Sequence, residues 1–409
     1  MKKPLLVICL LATVIYACNH GNNTLNKLLN TGRLPAETFV IDISRDTILT
    51  TQKGAQIRIP KKAISADDNI VKLEVKEAYS MRDIVKAGLT TQSDGQPLSS
   101  GGMMYINAVS KNNARITQKI FVATPTPYLE KSMQLFKGEV QADSTINWTA
   151  PTPLPQNPQL AALVKGEIMF QNNCAACHAI DKHFTGPALG GVMARVLPVV
   201  GDKAHLYEFI RNPAKVMQTE SYFLCLKNQY GGVVMTAFPN LTDEELDAIH
   251  GYIENEYKRI NPNYDINLAA CYDSCRLYNE VAGKWKQIKA SLEKETVDLA
   301  VEKKEASPDT TGTLQKVSPD NQESLYYQFT IEAFGWYNID MMLRNKVEVI
   351  AGELTVHIKS TDENKLNLYL VIPSLKVFES GGSLENETGS YGFLPLTARS
   401  HCRRTLKLT

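Results

Sequence analysis

Apolar and polar positions change rhythm several times along the chain. Leu5 to Ala17 is almost wholly apolar behind a Lys2-Lys3 start. From Phe39 to about Trp148 the rhythm has period two. Phe39, Ile41 and Ile43 alternate with Val40, Asp42 and Ser44, Ile57 and Ile59 flank Arg58, and Val71, Leu73 and Val75 alternate with Lys72 and Glu74. Successive strand side chains point to opposite faces, so this pattern predicts half-buried strands. Gly54, Pro60, Asp94-Gly95, Pro97 and Gly101-Gly102 punctuate the runs as turn residues do. Residues 38–150 are therefore expected to form an antiparallel β-sandwich. The proline-rich stretch Thr149 to Pro155 reads as an extended linker. A helical rhythm begins near Gln159, and Leu246, Ile249 and Ile253 line one face of a later helix. Residues 260–323 read as a helical connector, with Trp285, Ile288 and Leu292 at near-helical spacing, followed by a charged linker rich in Ser, Thr and Pro. Period two returns beyond residue 324, where Leu366, Leu368 and Leu370 alternate with Asn367, Tyr369 and Val371. Residues 324–409 are expected to be a second, separate β-rich domain.

The apolar run at the start is shorter than the ~20 residues a membrane-spanning helix needs. Its basic start and length are those of a secretory signal, residues 1–17. It ends at Ile15-Tyr16-Ala17-Cys18, which resembles the lipobox of bacterial lipoproteins. That resemblance implies lipidation of Cys18, a tether over residues 18–37, and a membrane-anchored lipoprotein facing the periplasm. The stretch Thr50 to Pro60 resembles the start of ZU5-like β domains, which are interaction modules.

Composition narrows the functional classes. The 409 residues carry 44 basic and 43 acidic side chains, whereas a nucleic-acid binder should be clearly basic. A hydrophobic content of 44% with 21% charged residues excludes a wholly disordered chain. Met103-Met104 suggests copper, but neighbours on a strand face opposite ways, so packing is the simpler expectation.

The decisive motif is Cys174-Ala175-Ala176-Cys177-His178. C-x-x-C-H is the c-type haem attachment signal. Two thiols three positions apart can add to the two haem vinyl groups, and the next histidine can ligate the iron. A redox C-x-x-C or half a zinc site are the alternatives. No second C-x-x-C pair completes a zinc site, and a thioredoxin-like βαβ context is missing.

The flanking residues extend this reading. Lys165 to Phe170 precedes the motif, Phe184-Thr185-Gly186-Pro187-Ala188-Leu189 follows it, and Leu206, Phe209 and Ile210 run into Arg211-Asn212-Pro213. Val234-Met235-Thr236-Ala237-Phe238-Pro239 then leads to Thr242-Asp243-Glu244-Glu245-Leu246, where Thr-x-x-Glu is a capping box. In this order the segment Leu163 to Tyr257 resembles a mono-haem class I cytochrome c, and the all-α domain is expected over 158–259. The whole chain is thus expected to be multidomain: β-sandwich, cytochrome c, helical connector and β-rich domain. The resemblance implies one covalently bound haem c, Met235 as the sixth ligand, a Pro187 carbonyl that orients His178 beside Gly186 and Leu189, and an aromatic, Tyr252, packed on Gly166 near Phe170. Met193, Met217, His183, His205 and His250 are rival sixth ligands.

Cys225, Cys271, Cys275 and Cys402 remain, and four cysteines allow three pairings. A local Cys271–Cys275 bridge is the favoured expectation. With both axial positions filled there is no substrate site, so the expected role is electron carriage rather than enzymic catalysis. Redox donor and acceptor proteins would dock transiently, and no nucleic acid is expected. The alternatives are a haem subunit of a periplasmic oxidoreductase and a sensory lipoprotein whose haem binds a small ligand.

Overall fold

The computed structural model describes residues 29–109, 113–142, 144–261, 274–275, 281, 283–291, 324–343, 369–383 and 391–392. The signal segment, Cys18 and the start of the tether lie outside the described residues. So do Cys271, Cys402 and most of the connector and linker.

The chain divides into two units. The first is β-rich and takes in the described residues up to Thr126, Glu130–Pro155, and those from Tyr326 onward. Its strands up to Met342 are β1 (Ala36–Asp42), β2 (Thr47–Thr50), β3 (Gln56–Ile59), β4 (Ile64–Ser65), β5 (Ile70–Ala78), β6 (Gln92–Ser93), β7 (Gln96–Ala108), β8 (Arg115–Ile116), β9 (Ile120–Thr126), β10 (Gln134–Val140), β11 (Ile146–Pro153), β12 (Leu325–Ile331) and β13 (Gly335–Met342). One short helix, α1 (Met81–Ala87), follows β5, with the Ser80 side chain accepting from the Asp83 amide. The larger sheet has the order β1-β5-β7-β13-β10-β11, with β6 also pairing β7, and the smaller has the order β12-β9-β3-β2. The alternation read from the sequence sets the faces. Val71, Leu73 and Val75 are buried while Lys72 and Glu74 are not, and Ile57 and Ile59 are buried on β3. Met103 and Met104 are both buried, and Met103 packs among Trp148, Phe136 and Trp336 in the core. Trp148 donates from Nε1 to the Thr90 carbonyl at 2.7 Å.

Two expectations need correction. Residues 324–409 are not an independent β domain in their described part. Strand β13 pairs antiparallel with β7 on one side and β10 on the other, so it lies inside the sheet built by the N-terminal strands. Phe378 is fully buried in the same core, and its amide and carbonyl bond to Thr91 at 2.8 and 2.7 Å. Period two tells which face of a strand is apolar; it does not tell which strand lies alongside. Second, the proline-rich stretch is not a free linker. Strand β11 runs through Pro151 to Pro153, with Leu135 facing Thr152 and Gln134 facing Pro153. β11 ends the sheet order, and an edge strand is where proline's missing donor is tolerated.

The second unit comprises Pro127–Leu129 and Gln156–Leu325. In sequence it is an insertion between β11 and β12. Its helices are α2 (Pro158–Asn173), α3 (Val192–Val200), α4 (Lys203–Arg211), α5 (Pro213–Val216), α6 (Ser221–Gln229) and α7 (Asp243–Ile260). Helix α2 starts at Pro158 because Asn157 caps it, its Oδ1 accepting from the Gln159 amide at 2.9 Å, and proline suits the first helical position. Helix α7 carries the full capping box: Thr242 Oγ1 accepts from the Glu245 amide and Glu245 Oε2 accepts from the Thr242 amide. Asp243 and Glu244 sit in its first turn, which favours the positive end of the helix dipole. Residue 281 and residues 283–291 are helical.

Helices α2 and α7 cross at Gly166. A Cβ on that glycine would stand 1.9 Å from the Ala248 carbonyl oxygen and 3.0 Å from Tyr252 Cβ, so only a residue without a side chain allows this approach. Phe170 and Tyr252 pack beside the crossing, with ring centroids 5.5 Å apart. The apolar core of the unit gathers Phe170, Leu206, Tyr207, Tyr222, Phe223, Leu246, Ile249 and Ile253.

Candidate functional site

The C-x-x-C-H motif forms a tight turn at the end of α2. Cys174 is the helix's C-cap, its amide donating to Phe170, and the amides of Cys177 and His178 both donate to the Cys174 carbonyl. Cys174 and Cys177 are both free thiols, not joined to one another. Burial pushes the Cys174 thiol up to about 11. Cys177 is exposed.

The chain after the motif folds back on it. The Gly186 amide donates to Cys177 at 2.8 Å, Leu189 to Ala179 at 2.9 Å, and Gly190 to Ile180 at 2.8 Å. These bonds bring the Pro187 carbonyl to 2.9 Å from His178 Nδ1. A carbonyl only accepts, so Nδ1 carries the proton and Nε2 is left as a neutral donor for a metal. Burial holds the His178 pKa below its ordinary value, with the Pro187 bond opposing. Gly186 is required by contact: a Cβ there would sit 2.4 Å from His178 Cε1 and 2.8 Å from Nδ1. Arg195 on α3 donates from Nη2 to the Ala188 carbonyl at 2.6 Å and steadies this loop from the other side.

The motif opens on a cavity of about 1420 Å³, counting its open mouth. Its walls include Cys174, Cys177, His178, Pro187, Leu189, Val196, Phe209, Phe223, Met235 and Ile249. A mostly apolar cleft with two thiols and one neutral imidazole at one end fits an iron porphyrin in donor chemistry. The glycine that leaves room for the His178 ring fits it as well.

Of the rivals for the opposite side, Met217 and His250 also line the cavity, whereas Met193, His183 and His205 are not among its walls. His183 stacks on Tyr230 with centroids 5.0 Å apart, and His205 Nε2 lies 3.4 Å from Glu220. His250 donates from Nδ1 to the Leu246 carbonyl of its own helix and stacks on Tyr207. Burial pushes its pKa down to about 4. Tyr207 in turn donates to Asp247 at 2.6 Å, an oxygen that also holds Lys203. Met235 follows Gly231 and Gly232, both with positive φ, and its loop is pinned where the Phe238 amide donates to Ile210 at 3.1 Å. Arg211 Nε also donates to the Leu241 carbonyl at 2.7 Å.

The expected Cys271–Cys275 bridge is replaced by another pairing. Cys275 is bonded to Cys225 of α6, 50 residues away in sequence. Cys275 is buried in the unit's core, and burial against α6 rather than nearness along the chain selects its partner. Sequence reading also missed Gly190, where a Cβ would meet the Tyr257 ring at 2.1 Å, and the stacked pair Phe209 and Phe223. A lone glycine or phenylalanine has no local signature that distinguishes these roles.

Residues 163–256 match the family model for cytochrome c. Photosystem II extrinsic protein V of Trieres chinensis is 29% identical over 117 residues, which cover 28% of this chain and 68% of that protein. Cytochrome c of Chlamydomonas reinhardtii is 34% identical over 73 residues, 13% of this chain and 65% of that protein. Among solved structures, a cytochrome c from Rhodothermus marinus is 29% identical, covering 25% of this chain and 82% of its own, with a TM-score of 0.20. The inserted helical unit therefore contains a class I c-type cytochrome domain. That domain implies covalently bound haem c and haem-based electron transfer.

Proposed function

We propose that the chain is an exported, lipid-anchored, mono-haem c-type cytochrome that passes single electrons between protein partners. One haem c would be held through Cys174 and Cys177, with His178 and Met235 as axial ligands. The observation that carries this reading is the His178 imidazole: Nδ1 bound to the Pro187 carbonyl at 2.9 Å, the other nitrogen left for iron, on the wall of a cavity that Met235 also lines. C-x-x-C-H occurs once in the sequence, which supports a single haem.

When bound, haem supplies a one-electron Fe(III)/Fe(II) couple. His178 is oriented and made more basic by its Pro187 bond. The Met235 thioether favours the reduced state relative to a second nitrogen donor. Val192, Val196, Leu206 and Ile249 keep the cavity wall apolar, which disfavours the extra positive charge of the oxidised state. Two protein ligands leave no open position for a substrate, and this favours a carrier over an enzyme.

Export and anchoring are supported by the Lys2-Lys3 start, the apolar run to Ala17 and Cys18 after it. No helix among the described residues is long and apolar enough to cross a membrane. A disulfide between Cys225 and Cys275 suits an oxidising compartment. Within this reading the β-rich unit serves as the module that docks or positions the cytochrome.

Absorption spectra of the wild type, Met235→Ala, Met217→Ala and His178→Ala test the ligand set. In the cytochrome c family a weak far-red band of the oxidised state reports methionine on iron. Met235→Ala is expected to keep covalent haem and lose that band, Met217→Ala to keep both, and His178→Ala to fail in haem maturation. An unchanged Met235→Ala spectrum removes Met235 from the site. Labelling with fatty acid should mark the wild type and not Cys18→Ser.

A further inference from the structure

Helix α6 joins the disulfide to the wall of the haem cavity. Its buried side chains, Tyr222 and Phe223, stand in its first turn. From Leu224 to Tyr230 every residue is half-buried or exposed, so packing holds this end less firmly than the start. Leu226, Lys227 and Tyr230 of this end line the cavity. Cys225 is bonded to Cys275, which is buried in the core of the unit, and Ser274 Oγ donates to Gln229 Oε1 at 3.4 Å. Residues 274–275 thus brace α6 at two positions one helical turn apart. The end of α6 leads directly to Met235. The Gly232 amide donates to the Lys227 carbonyl at 2.8 Å, and Gly231 and Gly232 have φ of 77° and 76°. A Cβ on either would meet nothing within 4 Å, so these glycines serve backbone conformation and not a close approach. Val233 and Val234 are 61% and 45% exposed. Among the described residues, the next backbone bond along the chain joins the Phe238 amide to the Ile210 carbonyl. Met235 therefore lies on an arm between a braced helix end and the Phe238 tie.

We infer that the Cys225–Cys275 bond is a redox-sensitive strut: closed, it keeps Met235 at the cavity, and its reduction frees the end of α6 and the arm and opens the side opposite His178 to a small neutral ligand. This inference rests on the proposed Met235 ligation. The reductant is a dithiol. Its thiolate attacks Cys225, the less buried of the two sulfurs, and the Cys225–Cys275 bond breaks. Its second thiol then displaces Cys225. The dithiol ends as a disulfide and both cysteines as thiols, a transfer of two electrons and two protons in which the iron takes no part. The arm is the element that gives, because adjacent glycines absorb a change of φ and ψ at low cost. A cross-link restrains the chain only while it is closed, so thiol chemistry at Cys225 biases the position of Met235. Cutting the bond thereby turns an electron carrier into a ligand-binding haem protein.

The test uses the full-length holoprotein, kept ferrous with ascorbate in every arm so that the state of the iron does not vary. Carbon monoxide is added before and after treatment with tris(2-carboxyethyl)phosphine, and free thiols are counted by labelling. With the bond closed, little or no carbonyl spectrum is expected. After reduction two further thiols should label, and the carbonyl fraction should rise at least about tenfold, as a minor conformation becomes the major one. Reoxidation should reverse the change. Cys225→Ser/Cys275→Ser should bind carbon monoxide without the phosphine, with its helical dichroism kept. Equal carbon monoxide binding before and after the thiols are freed overturns the proposal. So does a bond that the phosphine does not reduce in the native protein, and so does loss of helical dichroism on reduction, which would make the bond a support of the whole fold. Met235→Ala separates the two readings. It should bind carbon monoxide whether the disulfide is closed or open. If it does so while the wild type never does, the strut falls and the Met235 assignment stands. If Met235→Ala excludes carbon monoxide in both states, both fall together.

Discussion

At the scale of single residues, the site depends on two side chains that are absent. Gly186 leaves room for the His178 ring, and Gly166 leaves room for the Ala248 carbonyl. Both glycines stand in the stretches that resemble cytochrome c, so their positions were visible in the sequence. The packing of Tyr252 on Gly166 was read from that resemblance, whereas the approach of Gly166 to the Ala248 carbonyl and of Gly186 to the His178 ring was not. Gly186→Ala is expected to push the imidazole off its Pro187 bond while leaving both thiols in place. Haem should still attach, and the far-red methionine band should weaken or vanish as the axial geometry is lost. A variant with the wild-type spectrum would show that the loop yields easily at this point. The rival ligands also separate at this scale: the sequence pattern favoured Met235, and Met193, His183 and His205 are not among the cavity walls, which Met217 and His250 share with Met235.

At the scale of elements, helices with explicit start signals were legible and those without were not. Thr242 and Glu245 announce α7, and Asp202 caps α4 by accepting from the His205 amide. Helix α3 begins at Gly191 with no side-chain cap and holds Pro198 inside, and α6 begins at Glu220 with no side-chain cap either. Tertiary packing of Val192, Val196, Tyr222 and Phe223 forms those two helices, a term that local propensity does not contain. The Cys225–Cys275 bond belongs to this scale, since it ties α6 to a segment 50 residues on. Replacing both cysteines by serine should lower the stability of the helical unit by about 2–4 kcal/mol, through the freed unfolded chain. Denaturant titration followed at the haem band measures this directly. A midpoint equal to that of the wild type would show that packing around Cys275 alone holds the segment.

At the scale of the whole molecule, the β-rich unit is completed from both ends of the chain. Strand β13 supplies partners to β7 and β10, and Phe378 fills the core they share. Truncation after residue 323 should therefore leave two interior strands with open edges and yield insoluble protein. An excised fragment running from residue 156 to 323 should remain soluble and bind haem, a contrast that expression and absorbance reveal together. Soluble, folded protein from residues 29–155 alone would contradict the shared sheet. The two units should also respond to pH in opposite senses. Burial depresses His250 to about 4, so between its unfolded value and that pH the unfolded chain binds more protons. The helical unit then loses stability as pH falls from about 6.5 towards 4, by as much as about 3 kcal/mol. Burial raises Asp340 to about 7, against bonds from Ser100, Asn338 and Gly101, and raises Glu379 to about 7. There the native state holds the extra protons, so the β-rich unit loses stability as pH rises from about 4 towards 7. Urea midpoints read separately by haem absorbance and by fluorescence of the buried tryptophans should diverge across this range. Parallel slopes would refute the opposed burial effects.

Local chemistry was enough to specify the haem-binding turn, the order of the cytochrome segments, the cap of α7, and the faces of the strands. Each of these depends on residues within a few positions of one another. Three matters waited for the tertiary structure: that residues 325–342 complete the N-terminal sheets, that Cys275 bonds to Cys225, and that Met193, His183 and His205 stand away from the cavity. All three are pairings between distant parts of the chain. Periodicity and spacing constrain which face a side chain takes, but the partner on that face is chosen by packing of the whole chain.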